Sequence, residues 1–419
     1  MPLLVLYNAL RNNYHMAEIS DVIIIGGGII GNSIASHLAG ENENENLKIT
    51  VVNSSNLGMP SSIAAAGLLT PFQLNELENH MLKDFCYSSF EYFPKFLESI
   101  NSNTDLGFKQ SGSLYLIFSN LEIAQKESEL KGIKNAGVKT SFLNKQEVTK
   151  IEPFVTKEIL GAYYFPTEGF INNVKFLKAI IQHCIEKKVN YLNKKVSEIK
   201  IVKDKIEGIV LENGEIISGK KYVLCNGSWS NLFLKKLLNT NEDLIKPVKG
   251  EILQVETVHE LNLPQKIIFC QEGYLVPRLR TNQFEKDSIL IGSTSEEVKL
   301  EENHNIFQNT VSGILSLTNL FKKLVPSYED FSITNMWAGL RPKTKDSLPI
   351  LGQIPDIENL YCALGHYRNG ILMGPLTGKV MKDLILENTI EFNIAPFKID
   401  RFIKNRNIAC NIPTTISMH

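Results

Sequence analysis

Four consecutive β-branched residues, Val22 to Ile25, run straight into Gly26, Gly28 and Gly31. Such a run reads as a strand buried on both faces. Beyond the glycines, Ile30, Ile34 and Leu38 fall on one helical stripe. Between a buried strand and a helix, G-x-G-x-x-G spacing has a specific use. The first glycine permits a tight turn, the second lets the backbone approach a pyrophosphate, and the third lets helix pack closely on strand. The helix then offers free N–H groups and a positive dipole end to phosphates. A bare glycine motif serves equally as a structural turn; its placement here is what favours a nucleotide. Lys48 to Asn53 reads as the next buried strand, completing a β-α-β unit of a parallel sheet. The acid expected about 20 residues on, at the ribose, is replaced: Asn53 stands 22 positions after Gly31. Asparagine accepts and donates hydrogen bonds but lacks the charge.

The rest of the chain is less uniformly α/β. Residues 75–99 have helical apolar spacing, with Pro94 expected to break or kink the helix. Phe85, Tyr92 and Phe96 form an aromatic stripe read as core. Gly112 to Phe118 reads as a strand, and residues 198–230 as a meander separated by Asp-Lys and Asn-Gly turns. "KGEILQVE", "EGYLVPRLR" and "SILIGSTS" are further strands, and Gly374 to Glu387 a helix. A parallel opening followed by antiparallel signals points to two interleaved units, one binding a nucleotide and the other a strand-rich cap.

Several function classes lack support. The 44 basic and 45 acidic residues give no footprint for nucleic acid. The six cysteines contain no C-x-x-C pair and the histidines no H-x-x-x-H, so no metal site is expected. Scattered thiols suit a reducing cytoplasm. No apolar stretch reaches 18 residues, so no membrane span is expected. Residues 1–16 read as an extension, with Met16 as the functional start.

"DVIIIGGGIIGNSIASHLA", "SSIAAAGLLTP", "GEILQVE", "EGYLVPR", "WAGLRPKTKDSLPILG" and "LGHYRNGILMGP" occur in that order. As a set they resemble the D-amino-acid-oxidase-like flavoproteins, in particular the glycine-oxidase branch, which makes the imine for the thiazole ring of thiamine. The likeness runs from about Met16 to about Leu386. It implies an α/β, Rossmann-like FAD-binding domain with an inserted strand-rich α+β substrate domain. The expected boundaries are 17–85, 155–245 and 335–395 for the first, 86–154 and 246–334 for the second, and 396–419 as a tail. By the same resemblance, Gly26, Gly28, Ile29, Ile30 and Gly31 form the pyrophosphate turn, and Asn53 and Ser54 meet the adenosine ribose. Ser61 and Ser62 would touch the phosphates or ribityl chain. Ala66, Gly67 and Leu68 would line the flavin ring, and Val196 would hold the adenine by its backbone. His366, Tyr367, Arg368, Asn369, Gly370, Ile371 and Leu372 would wrap the pyrimidine end. Tyr274 and Arg341 would bind the substrate carboxylate, with Arg368 close to substrate and flavin. The chain departs from the family at Asn53, and at Leu68, where methionine is common. It also lacks the fused thiazole-synthase domain of some relatives. No cysteine lies in "RPKTKDSLPILG", so FAD is expected to be noncovalent.

The chemistry agrees with that expectation. Moving a hydride from Cα to a flavin needs no side-chain base if the amine arrives neutral; placement, exclusion of water and electrostatics remain. A planar arginine fork suits a carboxylate. For Arg341 a surface salt bridge with Asp346 stays open, and for Arg368 a cap on a structural loop. Arg278 is read as structural, and His366 as a loop residue rather than a base. The expected partners are a small amino acid and O2 or another electron acceptor; a homo-oligomer is left open. Rivals are a same-fold dehydrogenase passing electrons to a quinone, a nicotinamide-dependent dehydrogenase, and a flavin-holding subunit without its own substrate site.

Overall fold

The protein is described by a computed structural model covering residues 19–40, 47–54, 61–72, 80–134, 138–257, 263–283, 285–300, 306–403 and 415–417. The expected extension up to residue 16 and most of the tail lie outside these residues.

Ser20–Ile25 is a strand, and its apolar run places it in the interior of a six-stranded sheet. The order across that sheet is Ile350–Gln353, Leu360–Leu364, Gly219–Leu224, Ser20–Ile25, Ile49–Asn53, Asn190–Asn193. Every neighbouring pair is parallel except the antiparallel edge at Ile350–Gln353. From Ser20–Ile25 the chain moves to one side of the sheet and later returns on the other. The glycine loop therefore opens at a topological switch point, where α/β sheets leave a crevice for ligands.

Four helices, Ile29–Gly40, His80–Ser99, Asn173–Glu186 and Gly370–Ile385, bury their apolar faces in one core cluster with this sheet. A second cluster joins it to an antiparallel sheet of Val196–Val202, Lys205–Leu211, Ile216–Ile217 and Thr415–Ser417; only the first three belong to the expected meander, whose last strand, Gly219–Leu224, lies instead in the parallel sheet. Of the break or kink expected at Pro94, the break does not occur: His80–Ser99 is one helix with the proline inside. A proline there costs about 3 kcal/mol. Phe85, Phe93 and Phe96, all at most 1% exposed, bury enough surface to outweigh it.

The nine-stranded second sheet includes Ser113–Ile117, Gly161–Phe165, Ile245–Thr257, Gly273–Arg278, Ser288–Gly292 and Phe331–Thr344. Two details differ from the boundaries read off the sequence. Gly161–Phe165 pairs with Ser113–Ile117 in this sheet rather than joining the first unit. The helix His80–Ser99, whose second half was assigned to the cap, packs on Gly370–Ile385 in the first. Both reflect non-local pairing, which periodicity does not carry. The longest partnership is Ile245–Thr257 with Phe331–Thr344, in register from Ile245↔Thr344 to Thr257↔Phe331 with one irregularity. It brings Arg341 to the boundary between the units.

Two buried histidines make the fold acid-sensitive. His37 donates from Nδ1 to the Ser33 carbonyl at 2.7 Å, and its Nε2 lies 3.0 Å from the Tyr92 hydroxyl. Burial lowers its pKa to about 4, and that of His366, 4% exposed, to about 3. In the unfolded chain both protonate near 6.5. The unfolded state therefore takes up these protons first, so this stability is full above pH 6.5 and lost as pH falls towards 4 and 3. Thermal melts should fall through that window, and His366→Asn should flatten the slope. A slope unchanged in the variant would contradict the assignment to His366.

Candidate active site

A cavity of about 500 Å³ opens at the switch point and continues between the two sheets. Its polar end is built by the glycine loop. Gly26 has φ +120°, and a Cβ there would overlap the Cys225 carbonyl. Gly28 faces Ser62, whose Oγ would lie 3.2 Å from an added Cβ. Asn53 Oδ1 accepts the Gly27 N–H at 3.0 Å, so the asparagine ties the end of the second strand to the loop. Asn32 Nδ2 donates to the Gly27 and Gly28 carbonyls at 2.7 and 3.0 Å, fixing the loop from below. The Ser62 hydroxyl accepts the Ile29 N–H at 2.9 Å and keeps its own O–H to donate. Ser61 is turned elsewhere: it donates to the Leu340 carbonyl.

Of the residues singled out in the sequence, the structure brings Gly26, Gly28, Ile29, Ile30, Asn53, Ser54, Ser61, Ser62, Ala66, Gly67, Leu68, Val196, Tyr274, Arg341 and His366 to Ile371 to the cavity wall. Gly31 and Leu372 are not on it. Gly31 packs the helix against the Gly26 carbonyl, and Leu372 is 1% exposed in the helix core. His366 reaches the wall, but its ring Nε2 is paired with the Thr377 hydroxyl at 3.0 Å.

At the opposite end stand two cations. The Arg341 guanidinium donates to Ser293 Oγ at 2.6 Å and to the Thr294 carbonyl at 3.2 Å, and it also pairs with Tyr274. Burial, then the charge of Arg368, lowers its pKa. Asp346, the carboxylate that a surface salt bridge would require, belongs to Arg401 at 2.7 Å instead. Arg341 has no carboxylate partner among the described residues. Arg368 is exposed, its guanidinium 5.1 Å from the Tyr367 ring centroid, a cation–π stack rather than a loop cap. Tyr367 itself has φ +47° and hydrogen-bonds the Pro342 carbonyl at 3.1 Å, holding the loop over the strand that bears Arg341.

A glycine lies beneath each of two side chains. The Arg341 guanidinium lies over Gly250 on the paired strand, and the Tyr274 ring over Gly292. Gly250 was read only as part of a strand, although a strand-interior glycine signals close approach. Gly250→Ala should displace the guanidinium tip while the chain still folds. Misplacing a clamp by about 1 Å can cost up to about a hundredfold. The expected result is a loss of about tenfold in kcat/KM with FAD retained; an unaltered KM would show that the close approach does not matter.

The two acidic groups described at this end, Cys270 and Glu272, are shifted in opposite directions. Burial raises the Cys270 thiol to about 12. Burial pushes Glu272 up, but hydrogen bonds headed by that from Lys323, 2.6 Å away, bring it below its ordinary value.

The donor set fits a dinucleotide. The Gly370–Ile385 helix starts at the cavity with no side chain capping its first turn, so two helix N-termini face the same space. The Asn226 Nδ2, buried on the wall beside the glycine loop, has no protein partner among the described residues. An unmet buried donor carries a penalty that a ligand acceptor would remove.

The family model for FAD dependent oxidoreductases (DAO) matches residues 21–384. The chain belongs to that family. FAD is its cofactor. It is 30% identical over 410 residues to the bifunctional protein ThiO/ThiG of Synechocystis, covering 96% of this chain and 57% of that one. The chain thus spans about half the length of such relatives. It is 29% identical to the glycine oxidase of Geobacillus kaustophilus, covering 91% of this chain and 97% of that one. The crystal structure of glycine oxidase from that organism superposes with a TM-score of 0.81 at 27% identity, covering 92% of this chain and 99% of the other. Among the described residues no helix is long and apolar enough to cross a membrane, and no cluster of His, Cys, Asp or Glu could hold a metal.

Proposed function

We propose that this FAD-dependent oxidoreductase oxidises a small amino acid, glycine or a near relative such as sarcosine or a D-amino acid. The product is the imine, which hydrolyses to oxo acid and ammonia. O2 takes the electrons and becomes hydrogen peroxide, and the imine serves thiamine thiazole synthesis. The observation that carries this reading is Arg341: a half-buried guanidinium at a cavity wall, with Tyr274 and Arg368 beside it and no carboxylate of its own among the described residues. A substrate carboxylate would complete it.

Bound FAD supplies a two-electron acceptor for the hydride on the substrate Cα. The protein's residues do the rest. Arg341 and Tyr274 hold the carboxylate and thereby aim Cα. Leu68, Phe269 and Tyr115 give that end an apolar wall that excludes water. Arg368 and the start of the Gly370–Ile385 helix place positive charge where electrons accumulate. The glycine loop, Asn53, Ser54, Ser62 and Val196 hold the nucleotide half noncovalently. The five described cysteines, all buried and unpaired, suit a reducing cytoplasm.

A substrate panel tests this. Glycine, sarcosine, D-alanine and L-proline should be compared for peroxide release with O2 and for turnover with a soluble quinone. Peroxide from glycine or sarcosine supports the oxidase; turnover with quinone alone would assign a dehydrogenase.

A further inference from the structure

Arg278 ends the strand Gly273–Arg278 and lies behind the Ala66–Gly67 segment. Its guanidinium donates to the Ile171 carbonyl at 2.6 Å, the Ala66 carbonyl at 2.9 Å and Asn173 Oδ1 at 2.6 Å. All three acceptors are neutral. The two acids nearest in sequence are engaged elsewhere: Glu272 pairs with Lys323 at 2.6 Å, and Glu285 with Lys175 at 2.6 Å and with Thr281. Burial lowers the guanidinium pKa to about 10, so it remains charged near neutrality. Desolvating a cation without a counter-charge is costly, and neutral donors could have bridged the same carbonyls.

The network continues towards the nucleotide end. Asn173, 2% exposed, donates from Nδ2 to the Ser62 and Ile63 carbonyls at 2.8 and 2.9 Å. Ser62 in turn receives the Ile29 N–H. Gly67 has φ +72° and a carbonyl that accepts the Ile171 N–H at 2.9 Å. A Cβ on Gly67 would lie 3.3 Å from Arg278 Nη1. Arg278 thus holds Ala66 directly and the Ser62–Ile63 end of the wall through Asn173.

We propose that Arg278 is a positioning residue for the cofactor, holding the Ser62–Gly67 wall in place and keeping an uncompensated positive charge behind it that favours the cofactor's electron-rich form. This rests on the reading that the flavin lies against Ala66 to Leu68. A merely structural arginine would hold the wall without influencing the potential.

The test compares Arg278→Lys, which keeps the charge but not the three-way bridge, with Arg278→Gln, which does the reverse in part. Each purified holoprotein is assayed for its two-electron midpoint potential and for FAD dissociation. Arg278→Gln should lower the potential by about 30 mV or more, equal to a tenfold change in the two-electron equilibrium. Arg278→Lys should leave the potential near wild type while releasing FAD several-fold faster. An unchanged potential in Arg278→Gln would overturn the proposal, as would equal shifts in both variants. Should Arg278→Gln not fold, a lowered potential in Arg278→Lys would overturn it alone. If the wild-type chain holds no flavin, the cofactor reading fails instead, and the two failures are distinct.

Discussion

Arg341→Ala should weaken the recognition of substrate far more than any other change to the wall of the cavity. Truncation leaves a substrate carboxylate partly desolvated without its fork, at a cost of about 2–5 kcal/mol by analogy with desolvated charge pairs. KM for glycine should rise well over tenfold, and acetate, which offers the carboxylate without the amine, should lose its spectral effect on the flavin. FAD should stay bound, because the residue sits at the end of the cavity away from the glycine loop. Lysine should rescue only in part: it brings a point charge but cannot reach both Ser293 and the substrate as a fork does. Arg368→Ala should differ, since its guanidinium is exposed and stacked on Tyr367. It should slow flavin reduction as well as weaken binding. Unaltered glycine dependence in Arg341→Ala would remove the carboxylate clamp.

Gly31→Ala should have the largest effect on the cofactor, although Gly31 does not reach the cavity. An added Cβ would overlap the Gly26 carbonyl oxygen and sit 3.2 Å from Ile24 Cγ2. Both neighbours belong to the buried strand and its turn, which cannot yield as a flexible side-chain tip can. The helix must move off the strand, costing roughly 1–3 kcal/mol as overpacking does. Because the same helix start offers its N–H groups to the phosphates, FAD binding should weaken by more than about tenfold. Fluorescence quenching on FAD titration measures this directly. Wild-type affinity in the variant would show that the close helix–strand contact is not what shapes the cradle.

The features legible in the sequence were those written locally. The glycine loop needs only its own strand and helix, and its period announces both. The arginine in "WAGLRP" could be flagged by chemistry, but only the structure removes Asp346 as its partner, by giving that carboxylate to Arg401. What stayed hidden depends on cross-strand register. Gly250 and Gly292 seat Arg341 and Tyr274 because two strand pairs, Ile245–Thr257 with Phe331–Thr344 and Gly273–Arg278 with Ser288–Gly292, each hold one particular register. Ser293 and Thr294, which receive the guanidinium, follow the strand Ser288–Gly292, brought there by its own pairing with Ile245–Thr257. Arg278 looked structural because nothing in "YLVPRLR" says that its acceptors come from Ala66, Ile171 and Asn173. His366 lies on the cavity wall, yet its ring turns to Thr377 inside the following helix, a contact that the loop sequence does not reveal.

The central claim is that this chain moves a hydride from a small amino acid onto its own FAD. The most direct test is the visible spectrum of the purified holoprotein mixed anaerobically with glycine, sarcosine or D-alanine. The protein should be yellow, its flavin band should bleach with at least one of these at a rate that saturates with concentration, and its colour should return on admitting O2. A protein that carries FAD but keeps its oxidised spectrum with all three would contradict it.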